Sequence, residues 1–424
     1  MNAVPTRLGQ NMAMRSATWV IPAVLVALLP LFFKSGFALN ALSEIGIMII
    51  FALSYNMLLG QSGMLSFGHA VYSGLGAYIT IHALNMIGKG SFWFPVTLLP
   101  LIGGLAGMLC GVILGYVSTK RAGTTFAMIS MGIGEMVAAS SLMFPGFFGG
   151  EAGISSNRMT RPGWFGISYG PQIEVYYLIA VWMLLAVIAM YAITHTPLGR
   201  MMNAVRDNPE RAEFVGYNPQ RVRYLAMILA GFFAGVAGGL SAINYEIVTA
   251  EAVGAIRSGN VLVMTFIGGM GQFFGPIIGA VLMVFLGLTL SGITKAWLFY
   301  FGILFLSMVL FAPGGLSGII MLHQPIWRAR LMGRLIPSYT AAFLAGLVAF
   351  AGVVGLVELT YRRLAEADHK MSFFGVAVDS EQPMAWIASL VLIALGGWLS
   401  RLAWKKVSNA WRDITLQLQG GRAP

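Results

Sequence analysis

The chain has 424 residues, 58% hydrophobic and only 10% charged, with a net charge of +11. Soluble domains carry about a quarter charged residues, so the composition belongs to the bilayer class and length does not count domains. The basic excess points to cytoplasmic loops. No Lys/Arg run interleaved with aromatics suggests nucleic-acid binding, and the single cysteine, Cys110, excludes a disulfide framework or a CxxC site.

A span needs roughly 20 apolar residues. The first is expected at about 17–33, after Arg7 and Arg15, and reads as a retained span because no small-residue cleavage site follows. The second, about 38–59, ends in the polar edge Asn56, Gly60 and Gln61. The third, about 63–88, is glycine-rich and carries Ser66, His69, Tyr72 and Ser73. A fourth, about 93–117, has glycines at 103, 104, 107, 111 and 115, a close-packing face. A fifth, about 123–143, contains an acid, Glu135. A polar loop with Arg158 and Arg161 leads to the sixth, about 173–194, and the seventh is at about 224–243. Residues 260–291 read as two short spans broken at Gly271–Pro276, because one long span would put Arg328, Arg330 and Arg334 outside. Further spans follow at about 296–312, 339–358 and 385–402. The expectation is an all-α integral membrane protein, a polytopic bundle of about 10–12 segments, some short or broken. Both termini then lie inside. A faint echo relates Phe67–Gly68 to Phe274–Gly275.

Between the sixth and seventh spans lies the most charged stretch, 197–223, with five arginines. Asn208–Pro209 is a helix-start signal. Glu210 in the first turn suits the helix dipole, and Gly216 stands where a helix ends. Ala212 and Gly216, four apart, share one small, smooth face. The alternatives are an ordinary basic loop and a rigid helix on which a soluble motor docks.

GQSGMLSFGHA, residues 60–70, is glycine-rich and polar. Backbone left unsatisfied in lipid is tolerated only against protein or a wet path, so Asn56, Gln61, Ser66, His69 and Tyr72 are candidate path residues, with Glu135, a buried-looking acid in the fifth span, as a further one. Close packing around a hydrogen-bonded histidine is the other reading. Glu135 within a span is functional by default; a helix–helix hydrogen bond is the alternative. The 26 methionines read as packing. His69, His82, His195, His323 and His369 are too scattered for a metal site. No phosphate loop, HExxH, GxSxG or paired-carboxylate cluster appears, which argues against ATP binding by this chain and against an enzyme.

Glu210–Arg211–Ala212 with Gly216 resembles the EAA-loop glycine motif of ABC importer permeases, Arg211 replacing the usual alanine. GQSGMLSFGHAVYSGLGAY (60–78), AGFFAGVAGGL (230–240), GGMGQFFGPIIGA (268–280) and FAPGGLSG (311–318) resemble the membrane subunit of branched-chain amino acid ABC importers. The resemblance covers about 35–320. It implies a permease core over 1–320 with a coupling helix at about 208–216, and a C-terminal extension over 321–424. It also implies a second related permease, two cytoplasmic ATPases using ATP and Mg, a periplasmic binding protein, and a bacterial inner membrane. Members of similar sequence carry urea, amides or aromatic acids. An ion-coupled secondary transporter using Glu135 is the reading from another class.

Overall fold

Apolar runs bounded by Gly, Pro and charged residues become helices, and among its described residues the computed structural model is helical apart from connecting turns and two short antiparallel strand pairs. It describes residues 7–159, 167–365, 370–373, 376–379 and 382–420; Arg161 and His369 lie outside them. The helices are α1 (Arg7–Phe32), α2 (Gly36–Asn56), α3 (Ala70–Gly88), α4 (Leu99–Ser118), α5 (Gly123–Met143), α6 (Pro145–Phe148), α7 (Gln172–His195), α8 (Pro197–Asp207), α9 (Pro209–Phe214), α10 (Pro219–Tyr245), α11 (Ala255–Gly268), α12 (Gly275–Ile293), α13 (Trp297–Phe311), α14 (Gly315–Arg328), α15 (Met332–Ala365) and α16 (Pro383–Gly420). β1 (Ile154–Ser155) pairs antiparallel with β2 (Ile247–Val248), and β3 (Lys370–Phe373) with β4 (Val376–Asp379).

Among the described residues eight helices are long and apolar enough to cross a membrane, or nine if α13 and α14, bent by 44°, count as one span. The sequence expectation of about ten to twelve also counts α1, α3 and α11. α1 runs over 26 residues, of which Trp19–Phe32 enter that count, and α11 has 14. α3 has 19 residues, but Tyr72, Ser73, Thr80, His82 and Asn85 dilute its hydropathy.

The chain divides into two compact units. The first, residues 1–289 with 305–318, is built around α10, which packs on α2, α3 and α4. Lipid is as apolar as leucine, so contact rather than escape from water holds such helices. The glycines of α4 supply that contact. A Cβ at Gly107 would strike the Gly231 carbonyl, and one at Gly235 would strike the Gly103 carbonyl. The two backbones therefore touch, as the glycine face of the fourth span predicts.

The first unit has two ends. At one, which we call the far end, Asn40 near the start of α2 bonds Asn244 near the end of α10 at 2.9 Å. Arg158 is buried beside them and donates to the carbonyls of Tyr169, Ile243 and Asn244. At the other, which we call the arm end, Tyr191 of α7 is ringed by Trp19, Phe273 and Phe274, with centroids 5.0, 5.2 and 5.9 Å away. The break between α11 and α12 therefore lies at the arm end, beside the helices that follow α7. α11 has only 14 residues and α12 has 19.

The second unit, residues 290–304 with 319–424, pairs α15 with α16. Gly396 meets the Ala349 backbone, and Gly352 meets that of Ser389. His323 Nε2 and Trp411 Nε1 both reach the Tyr339 hydroxyl at 2.7 Å. Segment 290–304 groups with residues beyond 318.

Candidate translocation and coupling sites

The charged stretch 197–223 folds as three helix starts in succession. Thr196 accepts from Gly199 N at 3.4 Å, Asn208 from Arg211 N at 2.9 Å, and Asn218 from Arg221 N at 3.1 Å. Each cap is followed by proline at the first helical position, where the missing N–H costs nothing. α9 closes on Gly216 at φ +94°. Gly216 N donates to Glu213 O and Tyr217 N to Ala212 O, the paired bonds of a left-handed cap. The sequence anticipated Asn208, Pro209, Glu210 and Gly216 in these positions. It did not anticipate α8, because Pro197 reads as a break.

One geometric expectation is corrected. Ala212 is 6% exposed and faces into the chain, so it forms no small docking face with Gly216. The outward side of the arm carries Phe214 at 91% exposure and Val215 at 70%. α9 is short, and its single buried position is needed to seat it on its neighbours.

The arm is tied to the membrane core by Arg206, the penultimate residue of α8. Its guanidinium donates to the Gly60 carbonyl and pairs with Asp207 at 2.9 Å. Gly60 belongs to a π-helical turn, Met57–Gln61, that ends α2. Beyond it, residues 63–69 are not helical until α3 begins. The close approach explains the glycine: a Cβ at Gly60 would meet the Asn56 side chain and the Met270 carbonyl. Gly68 likewise lies against the Ser130 carbonyl of α5.

This break places Asn56, Gln61, Ser66, His69 and Tyr72 in the interior, all of them buried. His69 Nε2 meets Ser54 Oγ at 2.9 Å. The ring stacks on Phe51 at 5.4 Å and touches Tyr55 at 5.3 Å and Tyr72 at 5.9 Å. Phe67 N is held by Ser130 Oγ and Ala70 N by Ser258 Oγ, each at 3.0 Å. The unwound backbone is thus satisfied by α5 and α11. Asn56 Oδ1, Gln61 Oε1, Ser66 Oγ and His69 Nδ1 have no partner among the described residues. These side chains line no open channel in this conformation. They form a closed polar seam in an apolar bundle, because the aromatic rings pack over His69. An unpartnered buried polar atom costs about 1–3 kcal/mol.

Glu135 does not join them. α5 turns Gly134 toward Gly68 and leaves Glu135 exposed on the opposite side, with Met128, Met131 and Leu142. The sequence suggested a buried acid; the helix register puts it outside.

Residues 37–313 match the protein family described as branched-chain amino acid transport system / permease component. The chain belongs to this family. It is 32% identical over 291 residues to the high-affinity branched-chain amino acid transport system permease protein LivM of Salmonella typhimurium, covering 64% of this chain and 67% of that one. The LivM of Escherichia coli K12 is 31% identical with the same coverage. The fructose import permease protein FrcC of Rhizobium meliloti is 27% identical over 217 residues, 49% of this chain and 59% of the relative. No solved structure gives a significant match.

The matched range contains the seam, the arm and the break at 269–274, and it stops before α14 to α16 of the permease. Its sequence also holds residues that motif reasoning passed over. Arg206, Phe214, Glu44 and Arg257 belong to no motif. The available signal was the isolation of Glu44 and Arg257 as single charges in apolar helices.

Proposed function

We propose that the chain is one permease subunit of an ATP-driven importer that carries branched-chain amino acids across a bacterial inner membrane. A second, related permease completes the path. Two ATPase subunits dock on the outward side of the arm and use ATP and Mg, and a periplasmic binding protein delivers substrate at the far end. Both termini lie in the cytoplasm. The names of the LivM relatives support the substrate.

The contact of Arg206 with Gly60 supports the mechanism most directly. Motor movement applied at Phe214 passes through a rigid, triply capped arm to the turn where α2 unwinds, and so to the seam beyond it. A floppy loop would dissipate that movement. Ion-coupled transport has less support, since Glu135 faces away from the seam.

The test is made on the whole complex. Phe214→Asp removes an exposed aromatic anchor and adds charge; Gly216→Leu forces a side chain into left-handed backbone. Both are expected to reduce co-purification of the ATPase subunits at least tenfold, with thermal unfolding of the permease shifted little. Retained co-purification and retained leucine uptake in both variants would remove the docking reading.

A further inference from the structure

A separate polar group stands at the far end, about 40 Å along α10 from the arm at 1.5 Å rise per residue. Tyr245, the last residue of α10, donates its hydroxyl to Glu44 Oε2 of α2 at 2.7 Å. Arg257, in the first turn of α11, lays its guanidinium over the Phe51 ring at 5.7 Å. Glu44 and Phe51 are seven residues apart on α2 and so share one face of that helix, which puts Arg257 and Glu44 along the same face. Even so, no ion pair joins Glu44 to Arg257 among the described residues, so these two opposite charges stay apart. Arg257 Nε is buried and has no partner among the described residues. The N-terminus of α11 starts at Gly254 with no side-chain cap, which leaves its first N–H groups and the positive end of its dipole available. Tyr245 is 43% exposed, so the group can be reached.

Two opposite charges kept apart beside one hydroxyl, in apolar surroundings, are costly unless a ligand bridges them. A neutral sugar could hydrogen-bond to both but would neutralise neither charge. A zwitterion would satisfy both at once, its anion at the start of a short, interrupted helix. We propose that Arg257 and the N-terminus of α11 take the carboxylate of a free amino acid, while Glu44, braced by Tyr245, takes its ammonium. This clasp rests on the import reading above and sets the substrate class at the entrance.

The test uses the complete transporter in proteoliposomes, with labelled leucine as the probe. Arg257→Gln and Glu44→Gln are each expected to lower leucine uptake at least tenfold. The conservative Arg257→Lys and Glu44→Asp should raise KM at least fivefold with kcat within twofold, a split that a purely structural defect would not produce. Wild-type uptake in both glutamine variants overturns the clasp and leaves the import reading standing. If the glutamine variants fail to assemble, an unchanged KM in the conservative pair overturns it instead. A wild-type complex that imports a neutral sugar and no amino acid overturns both.

Discussion

Arg206 hydrogen-bonds the arm to the unwound turn through the carbonyl of Gly60. Arg206→Ala should leave the complex assembled and hydrolysing ATP, with leucine moved per ATP reduced at least fivefold. Arg206→Lys should recover part of it, since an ammonium also donates to a carbonyl but lacks the planar fork. Equal coupling ratios in the alanine variant and the wild type would reduce the contact to a surface bond. At this scale the sequence was partly legible. His69, Asn56 and Ser66 stand out as polar groups in apolar surroundings, but nothing in their spacing tells that aromatic rings close over them. Glu135 was misplaced for a related reason: α5 has little amphipathic contrast, so its inward face cannot be read from composition.

At the level of helices, the glycines of α4 and α10 make a sharp distinction between positions. Gly107→Ala and Gly238→Ala each place a methyl group into a neighbouring backbone, at Gly231 and Ser73 respectively. Each should cost on the order of 1–3 kcal/mol, as overpacking does, and lower the temperature of unfolding in detergent. Gly132→Ala meets open space and should stay within about 0.5 kcal/mol of the wild type. Equal effects at all three positions would mean that helix propensity, not backbone contact, governs these glycines. The glycine face was legible because a four-residue period survives any tilt of the helix. α8 was not, although Thr196–Pro197 obeys the same rule as Asn208–Pro209. A proline that ends one helix and starts the next gives the same local signal as a simple break.

For the whole molecule, the arm and the α11–α12 break lie at one end of the first unit and the Glu44 group at the other. Single cysteines at Asn208 and Gln272 should therefore react with an impermeant thiol reagent only from the cytoplasmic side. One at Ile247 should react only from outside. Labelling of Asn208 and Gln272 from opposite sides would break this arrangement. Charge counting alone had favoured two passes across 260–291, and the aromatic contacts of Tyr191 with Phe273 and Phe274 give that preference a physical anchor. The second unit was less legible. Its long helices could be read as spans, but their pairing depends on Gly352 and Gly396, which no motif marks.

The π-helical turn at Met57–Gln61 carries one residue more than an ordinary helical turn would hold. That surplus is a stored register. Were it passed forward into the unwound segment, the residues between Gln61 and α3 would shift by about one helical position, about 100° and about 1.5 Å. A pull at Gly60 that resolved the turn would then re-aim Ser66 and His69, as a ratchet turns by one tooth. Deleting Leu59 would leave no tooth to turn. Such a protein should fold, dock its ATPases and hydrolyse ATP while moving almost nothing, and brisk leucine uptake by it would show the extra residue to be incidental.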